Sequence, residues 1–325
     1  MTRRHWISAI AAGGIMAALP LCASAQTYPS KPIRIIVPFA VGGSSDIMAR
    51  GLGKQLAEQM GAQVVVENRP GGGGGPAMQA VVSSPADGHT LLYGTIGTNS
   101  VAPLLFRNLP VDPVRDLQPV SILALNPSVL IVNAALPIQS LEDLIRYAKA
   151  NPGKLSYASA GNGSISHLAT ELLKTSAQID MLHVPYKGGG AASADLLAGN
   201  ISLMIETITN AMTLVKTGKV RAIANSGSRR WPTAPDLPTF SEAGVPGYQV
   251  DSWTGLFVAA GTPASVVDRI NAELVKAARD PGYRTAMSNI GVEAVSSSPQ
   301  EFASFVKAEM DKWGRVIQLT GTRVD

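Results

Sequence analysis

The sequence predicts an α/β fold, with parallel sheets flanked by helices on both faces, and three observations lead there. Short apolar, strand-like runs alternate with helix-periodic segments along most of the chain. Glycine-rich turns recur where such a strand gives way to a helix. After Asn225 the alternation stops in a proline- and glycine-rich connection, and it resumes only near the C-terminus.

Taken in order, IRIIVPF (33–39) is a buried-strand run, and SDIMARGLGKQLAEQM after it spaces apolar residues at helical intervals. QVVVEN is a second strand, GPAMQAVVSS a short helix with Pro76 just inside its start, and HTLLYG a third strand. The pairing continues through SVLIVN with SLEDLIRYAKAN, KLSYAS with SISHLATELLKTSA, MLHVPY with GAASADLLAG, and ISLMIE with TNAMTLVKTG, ending in VRAIAN. Residues 226–250 read as a long surface connection. SWTGLFVAA then restores a strand, and helices follow at ASVVDRINAELVKAARD and PQEFASFVKAEMDKWGRVIQ. A chain this long divides into two domains. The proline-rich return puts residues 28–125 with 253–325 in one and 126–252 in the other, with crossings near Asn126 and Asp251.

The ends and the composition narrow the function. Arg3 and Arg4 precede an apolar run from Trp6 to Leu21 and the small-residue site CASAQ, which together make a secretory signal over residues 1–25, cut after Ala25. The run is too short for a comfortable membrane span. The arginine pair also fits a twin-arginine signal, so the export route stays open. Cys22 follows a bulky Leu21, a poor match to a lipid-anchoring site. It is the only cysteine, so the exported chain has neither disulfide nor thiol nucleophile. The 27 basic and 23 acidic residues nearly balance, and Arg3 and Arg4 leave with the signal, so neither nucleic acid nor a membrane surface is an expected partner.

Two turns are built to hold an anion. GGSSD, from Gly42 to Asp46, sits where a strand ends and a helix begins. Amides at a helix N-terminus lack helical partners, and the dipole there favours negative charge. Gly42 and Gly43 let the chain bend, and Ser44 and Ser45 add hydroxyls; a cap serving only the fold is the alternative. SYASAGNGSISHLATELL repeats the construction through Gly161, Asn162 and Gly163, with Ser164 as cap. It is neither a phosphate-binding Walker loop nor a dinucleotide fingerprint, because Lys–Ser/Thr is missing and Ser166 stands where Gly or Ala belongs. The run Gly71–Gly75 is most simply a flexible surface loop, or else a ligand-side loop whose backbone approaches closely.

Catalytic signals are sparse. There is no Gly-x-Ser-x-Gly elbow and no His-Glu-x-x-His, and only His89, His167 and His183 remain after the signal is removed. His167 lies one turn into the second loop's helix, where it contacts a cap or a ligand or serves the fold. His183 reads as packing. Tyr186 and Lys187 stand at a strand's carboxyl end facing a cleft, Asp195 reads as a solvated or capping charge, and Glu206 is a candidate partner for Lys187. For Trp253, hinge packing and a ligand-facing wall are equally compatible with its position.

Six ordered blocks carry a family resemblance. YPSKPIRIIVPFAVGGSSDIMAR, VVENRPGGGGGPA, SPADGHTLLYG, SYASAGNGSISHLATELL, HVPYKGGGAASADLLAGN and SWTGLFVAAGTPA closely resemble the Bug, or TctC-type, substrate-binding proteins of tripartite tricarboxylate transporters. The resemblance runs from about Tyr28 to the C-terminus. It implies a monomeric periplasmic binding protein of the Venus flytrap form. Each domain would be a central, mostly parallel sheet flanked by helices, with a deep cleft between the two. It also implies capture of a small carboxylate without a cofactor or catalysis, and delivery to membrane subunits of the transporter. By motif, the ligand-side residues are Phe39, Gly42, Gly43 and Ser44 in one domain and Ser159, Gly161, Asn162, Gly163 and Ser164 in the other. His167 and Tyr186 stand nearby, and TIGTNS matches a third cleft loop led by Thr95 and Thr98. His89 stands where the family usually has Tyr, and GGGAAS is smaller than the segment many relatives carry, which leaves pocket size open.

Overall fold

The computed structural model describes residues 28–42, 44–186 and 188–322. The signal segment, Gly43 and Lys187 lie outside the described residues.

Strand β1 (Ile33–Val37) pairs in parallel with β2 (Val64–Asn68) and β3 (Thr90–Thr95). The first crossover is α1 (Ser44–Met60), the second α2 (Gly75–Val82), which follows a 3-10 turn at Gly72–Gly74. After β3 come a π-helical turn, Gly97–Val101, and α3 (Ala102–Leu105). Farther along, β5 (Ser156–Ser159) pairs in parallel with β6 (Leu182–Pro185) and with β7 (Leu203–Thr207). Helices α4 (Leu141–Ala150), α5 (Ile165–Ala177), α6 (Gly189–Ala198) and α7 (Ile208–Val215) alternate with these strands up to β8 (Val220–Asn225).

The middle of the sheet differs from the outer strands. β4 (Leu117–Asn133) and β9 (Asp251–Ala259) pair antiparallel, and β9 also runs antiparallel to β3. From Ser128 onward β4 exchanges β9 for β7 and β8, again antiparallel. The exchange falls at Pro127, which opposes Asp251 and has no N–H to extend the ladder. One hydrogen-bonded path therefore runs β2-β1-β3-β9-β4-β7-β5-β6 through β4. Sequence reading finds only the second half of β4, because LQPVSILALNP contains Pro119 and Pro127 and lacks clean alternation. The fold tolerates Pro119 at an irregularity in register between Pro119 and Ser121.

The chain closes with α8 (Ala264–Arg279), α9 (Pro281–Asn289), the short β10 (Glu293–Ala294) and α10 (Pro299–Thr320). Weak periodicity hides α9 in the sequence, but Asp280 caps it by accepting the Tyr283 amide. A capping box at Ser298 and Glu301 starts α10. Alternate residues of β9 feed two cores: Trp253 and Phe257 face α10, while Leu256 and Val258 face α1 and α8. The Phe302 ring occupies the space above Gly255, where a Cβ would sit 2.0 Å from the ring. That close approach brings α10 against the sheet, and its core continues to Leu130 and Leu168, so this helix joins both strand groups. A third core, with Ile131, Met204 and Leu196, lies on the other face of the second group. No helix among the described residues is long and apolar enough to cross a membrane.

Candidate functional site

Two cavities open at the carboxyl ends of the parallel strands, the usual ligand position in α/β sheets. The first, about 710 Å³, is walled by Phe39, Ser45, Met48, Thr95 and Ile290 on one side and by Ile165, Thr207, Thr209 and Asn210 on the other. The second, about 470 Å³, lies between Phe39, Gly71, Gly74, Thr98 and Phe106 and the turn Gly161–Ser164. Phe39 and Gly97 belong to both walls. Neither wall carries a charged side chain among the described residues. A groove of about 870 Å³ between Leu104–Pro110 and the end of α10 is larger but touches neither GGSSD nor GNGS. Among the described residues no group of three or more His, Cys, Asp or Glu is placed to hold a metal ion.

The first turn is braced by charge outside the cavity. Gly42 turns with φ +87°, and its amide donates to Asp46 Oδ2 at 3.0 Å. Arg50 Nε donates to the same oxygen at 3.0 Å and Arg50 Nη2 to Asn68 Oδ1 at 3.1 Å. Asn68 Nδ2 in turn donates to the Phe39 carbonyl at 3.0 Å. The Arg50 hydrogen bond, followed by the Gly42 amide, holds the Asp46 carboxyl down to about 2. Gly42 is therefore occupied by Asp46 and lines neither cavity, whereas Phe39 is held at the junction of both. Ser44 opens α1. Asp46, Arg50 and Asn68 escaped sequence reading because the i, i+4 spacing of Asp46 and Arg50 also describes an ordinary helix-surface pair.

The second turn is a dense hydrogen-bonded unit. Ser159 Oγ accepts from the Gly161 amide at 3.2 Å and contacts His183 Nε2 at 2.7 Å. The Ala160 amide donates to Ser166 Oγ at 3.0 Å, and the Gly163 amide to His167 Nδ1 at 3.1 Å. Ser164 caps α5 by accepting the His167 amide at 3.3 Å. These bonds remove Gly161 and Gly163 from the set of free donors that the glycine pattern leads one to expect. The amides of Asn162, Ile165 and Ser166 have no protein partner among the described residues. Gly161, Asn162, Gly163 and Ser164 line the second cavity; Ser159 and His167 lie buried beneath it.

Other residues singled out in the sequence fall on both sides of this boundary. Thr95 and Thr98 approach Oγ1 to Oγ1 at 3.2 Å and line the first and second cavities respectively. The glycine run is a cavity wall, with Gly71, Gly73 and Gly74 facing Thr98 and Phe106. Tyr186 lines neither cavity: its hydroxyl donates to Asp195 Oδ2 at 2.6 Å, which pushes the phenol up to about 12. Asp195, which reads as a solvated charge in the sequence, is thus the partner of Tyr186 and also of Asn200. Glu206 accepts the Thr207 amide at 2.7 Å; its pairing with Lys187 lies outside the described residues. Trp253 is fully buried against Phe302 and Phe305 and also borders the first cavity. His89 is remote from both cavities, accepting the Ser30 amide at 3.1 Å and packing on Tyr28.

The mixed sheet with its flanking crossover helices is the fold of periplasmic binding proteins. The family model described as "Tripartite tricarboxylate transporter family receptor" matches residues 48–322, and the chain belongs to that family. It is 37% identical over 322 residues to Protein BugT of Bordetella pertussis, covering 97% of this chain and 96% of BugT. Among solved structures, R. palustris Rpa4515 with adipate superposes with a TM-score of 0.77 at 35% identity, covering 91% of this chain and 99% of the other. MatC from Rhodopseudomonas palustris with bound malate gives 0.71 at 34% identity, covering 89% of this chain and 100% of MatC.

Proposed function

We propose that this protein captures a small carboxylate between residues 28–125 with 253–325 and residues 126–252, which act as two lobes, and delivers it to the membrane subunits of a tripartite tricarboxylate transporter. The observation that carries this reading is the convergence of turns from both strand groups on cavities that share Phe39. The adipate and malate bound to the two Rhodopseudomonas proteins support the ligand class. The free amide of Asn162 meets the carboxylate in the second cavity beside the Thr98 and Ser164 hydroxyls, while Thr95 and Ile165 border the first. Neutral walls leave recognition to dipoles and hydrogen bonds. The protein works in the periplasm as a monomer after its signal is removed, and ligand bridging the lobes favours a closed form through differential affinity.

An exported hydrolase or lyase on the same scaffold is the competing reading; a sensor presenting its ligand to a membrane receptor would use the same cleft, and a partner pull-down separates it. The closest approach to a hydrolytic pair is Ser159 with His183, and Ser159 is fully buried beneath the turn, with no cavity wall of its own. Nucleophilic chemistry needs an oxygen that a substrate can reach, so the buried pair favours capture. Incubation with a carboxylate panel including adipate and malate separates the two. Capture gives a thermal shift with unchanged ligand, worth about 2.7 kcal/mol at about 100 times Kd; product formation refutes it. Scattering curves that superimpose with and without saturating ligand would refute the closing motion.

A further inference from the structure

Beneath the second turn lies a pair of imidazoles with no assigned role. The rings of His167 and His183 stack with centroids 4.0 Å apart and planes 8° from parallel, and Tyr157 continues the stack at 4.7 Å from His183. Both rings are tied to the turn, His167 to the Gly163 amide and His183 to Ser159 Oγ. We propose that His167 and His183 are positioning residues, holding the second glycine turn in its ligand-receiving shape as neutral rings, and that proton uptake by His167 releases it. The inference rests on the reading of this turn as a ligand wall.

The chemistry follows from one donor. A backbone N–H can only donate, so the Gly163 amide requires a lone pair on His167 Nδ1, and the ring proton must sit on Nε2. A second proton would set two N–H donors face to face across that contact. Gly163, turning with φ +74°, would lose its tether and carry Asn162 and Ser164 with it. At Ser159 the consequence is milder, because its hydroxyl can accept from a protonated His183 and donate instead to the Gly161 carbonyl at 3.2 Å.

The surroundings keep the pair neutral. Glu171 and Lys174 face the rings from α5, and Tyr157 faces them from β5. Glu171 accepts from the Tyr157 hydroxyl at 2.5 Å and from Lys174 Nζ at 2.9 Å, and Asp180 lies 3.9 Å from the same ammonium. The Glu171 charge, shared with Tyr157 and Lys174, favours a proton on both rings but is outweighed by burial. Burial lowers both rings' affinity for a proton, and for His183 the neighbouring His167 lowers it further, to about 4.

The test is an NMR titration of the ligand-free exported chain, with adipate and malate calorimetry at each pH. Expected are an unprotonated Nδ1 on His167 at pH 7 and a Gly163 amide signal that moves with the imidazole midpoint. His167→Phe keeps a ring in the stack but has no acceptor, and should speed Gly163 amide exchange at least about tenfold with the thermal transition retained. His167→Asn offers an untitratable oxygen, and should restore protection and abolish the pH dependence of the Gly163 signal. A proton on Nδ1 at pH 7, or a Gly163 signal unmoved while the ring titrates, overturns the inference. Failure of adipate and malate to bind at every pH, with the coupled titration intact, refutes the carboxylate reading while supporting the positioning role.

Discussion

Gly161→Ala should cripple ligand capture, and Gly42→Ala should not, although both glycines turn with positive φ. At Gly161 φ is +131°, a region that side chains rarely enter, and an added Cβ would lie 3.2 Å from the Tyr186 carbonyl oxygen. The Tyr186 amide is bonded to the Ser159 carbonyl at 3.0 Å, which anchors Tyr186 beside the turn. Backbone strain at such a site costs roughly 1–3 kcal/mol, and the tight contact places Gly161→Ala at the upper end. Relief by rotation would swing Asn162 and its free amide out of the cavity wall. Each 1.4 kcal/mol is about a factor of ten in affinity, so adipate binding should fall at least about tenfold. At Gly42 φ is +87° and nothing lies within 4 Å of the added atom. Only conformational strain of about 1–2 kcal/mol remains there, and the Asp46 bond still holds the turn. Urea unfolding measures the stability change and adipate calorimetry the binding. Equal affinity losses in the two variants, or unchanged binding by Gly161→Ala, would refute the assignment of the second turn as the amide wall.

Other perturbations have equally definite outcomes. Burial, with the neighbouring His167, holds His183 below its ordinary value of about 6.5, down to about 4, so its contribution is present above pH 6.5 and lost as pH falls toward 4; because the ring is only partly buried and solvent screens it, urea curves should show about 1 kcal/mol of acid destabilisation, largely absent in His183→Phe. Phe39→Ala removes the side chain shared by both cavities and should weaken adipate binding about tenfold with little effect on unfolding, since Phe39 is 37% exposed. Gly255→Ala would set a methyl 2.0 Å from the Phe302 ring and should destabilise the chain by about 3 kcal/mol or more, read by urea unfolding.

Local rules carried much of the architecture. Apolar runs and 3.6-residue spacing identify β1, α1, β5, α5 and their neighbours because those signals lie within a few residues of one another. Glycines before helix starts marked GGSSD and GNGS for the same reason, and six ordered motifs carried the family. The first half of β4 was hidden by Pro119 and Pro127, which are acceptable only where a register irregularity and a change of partner await them. Likewise, no spacing reveals that α10 would press Phe302 onto Gly255, residues far apart in the chain.

The site divides along the same line. Sequence alone determined which turns could offer amides, because the need for glycine and a capping hydroxyl is a property of the backbone itself. Only tertiary structure decided which amides stay free. Gly42 is taken by Asp46, Gly163 by His167 and Gly161 by Ser159, while Asn162, Ile165 and Ser166 are left without partners among the described residues. It likewise turned His183 from a packing residue into half of an imidazole pair and sent Tyr186 to Asp195. A hydrogen bond is settled by distance and direction in space, and residues 24 apart, such as Ser159 and His183, meet only after α5 has returned the chain so that β6 lies beside β5.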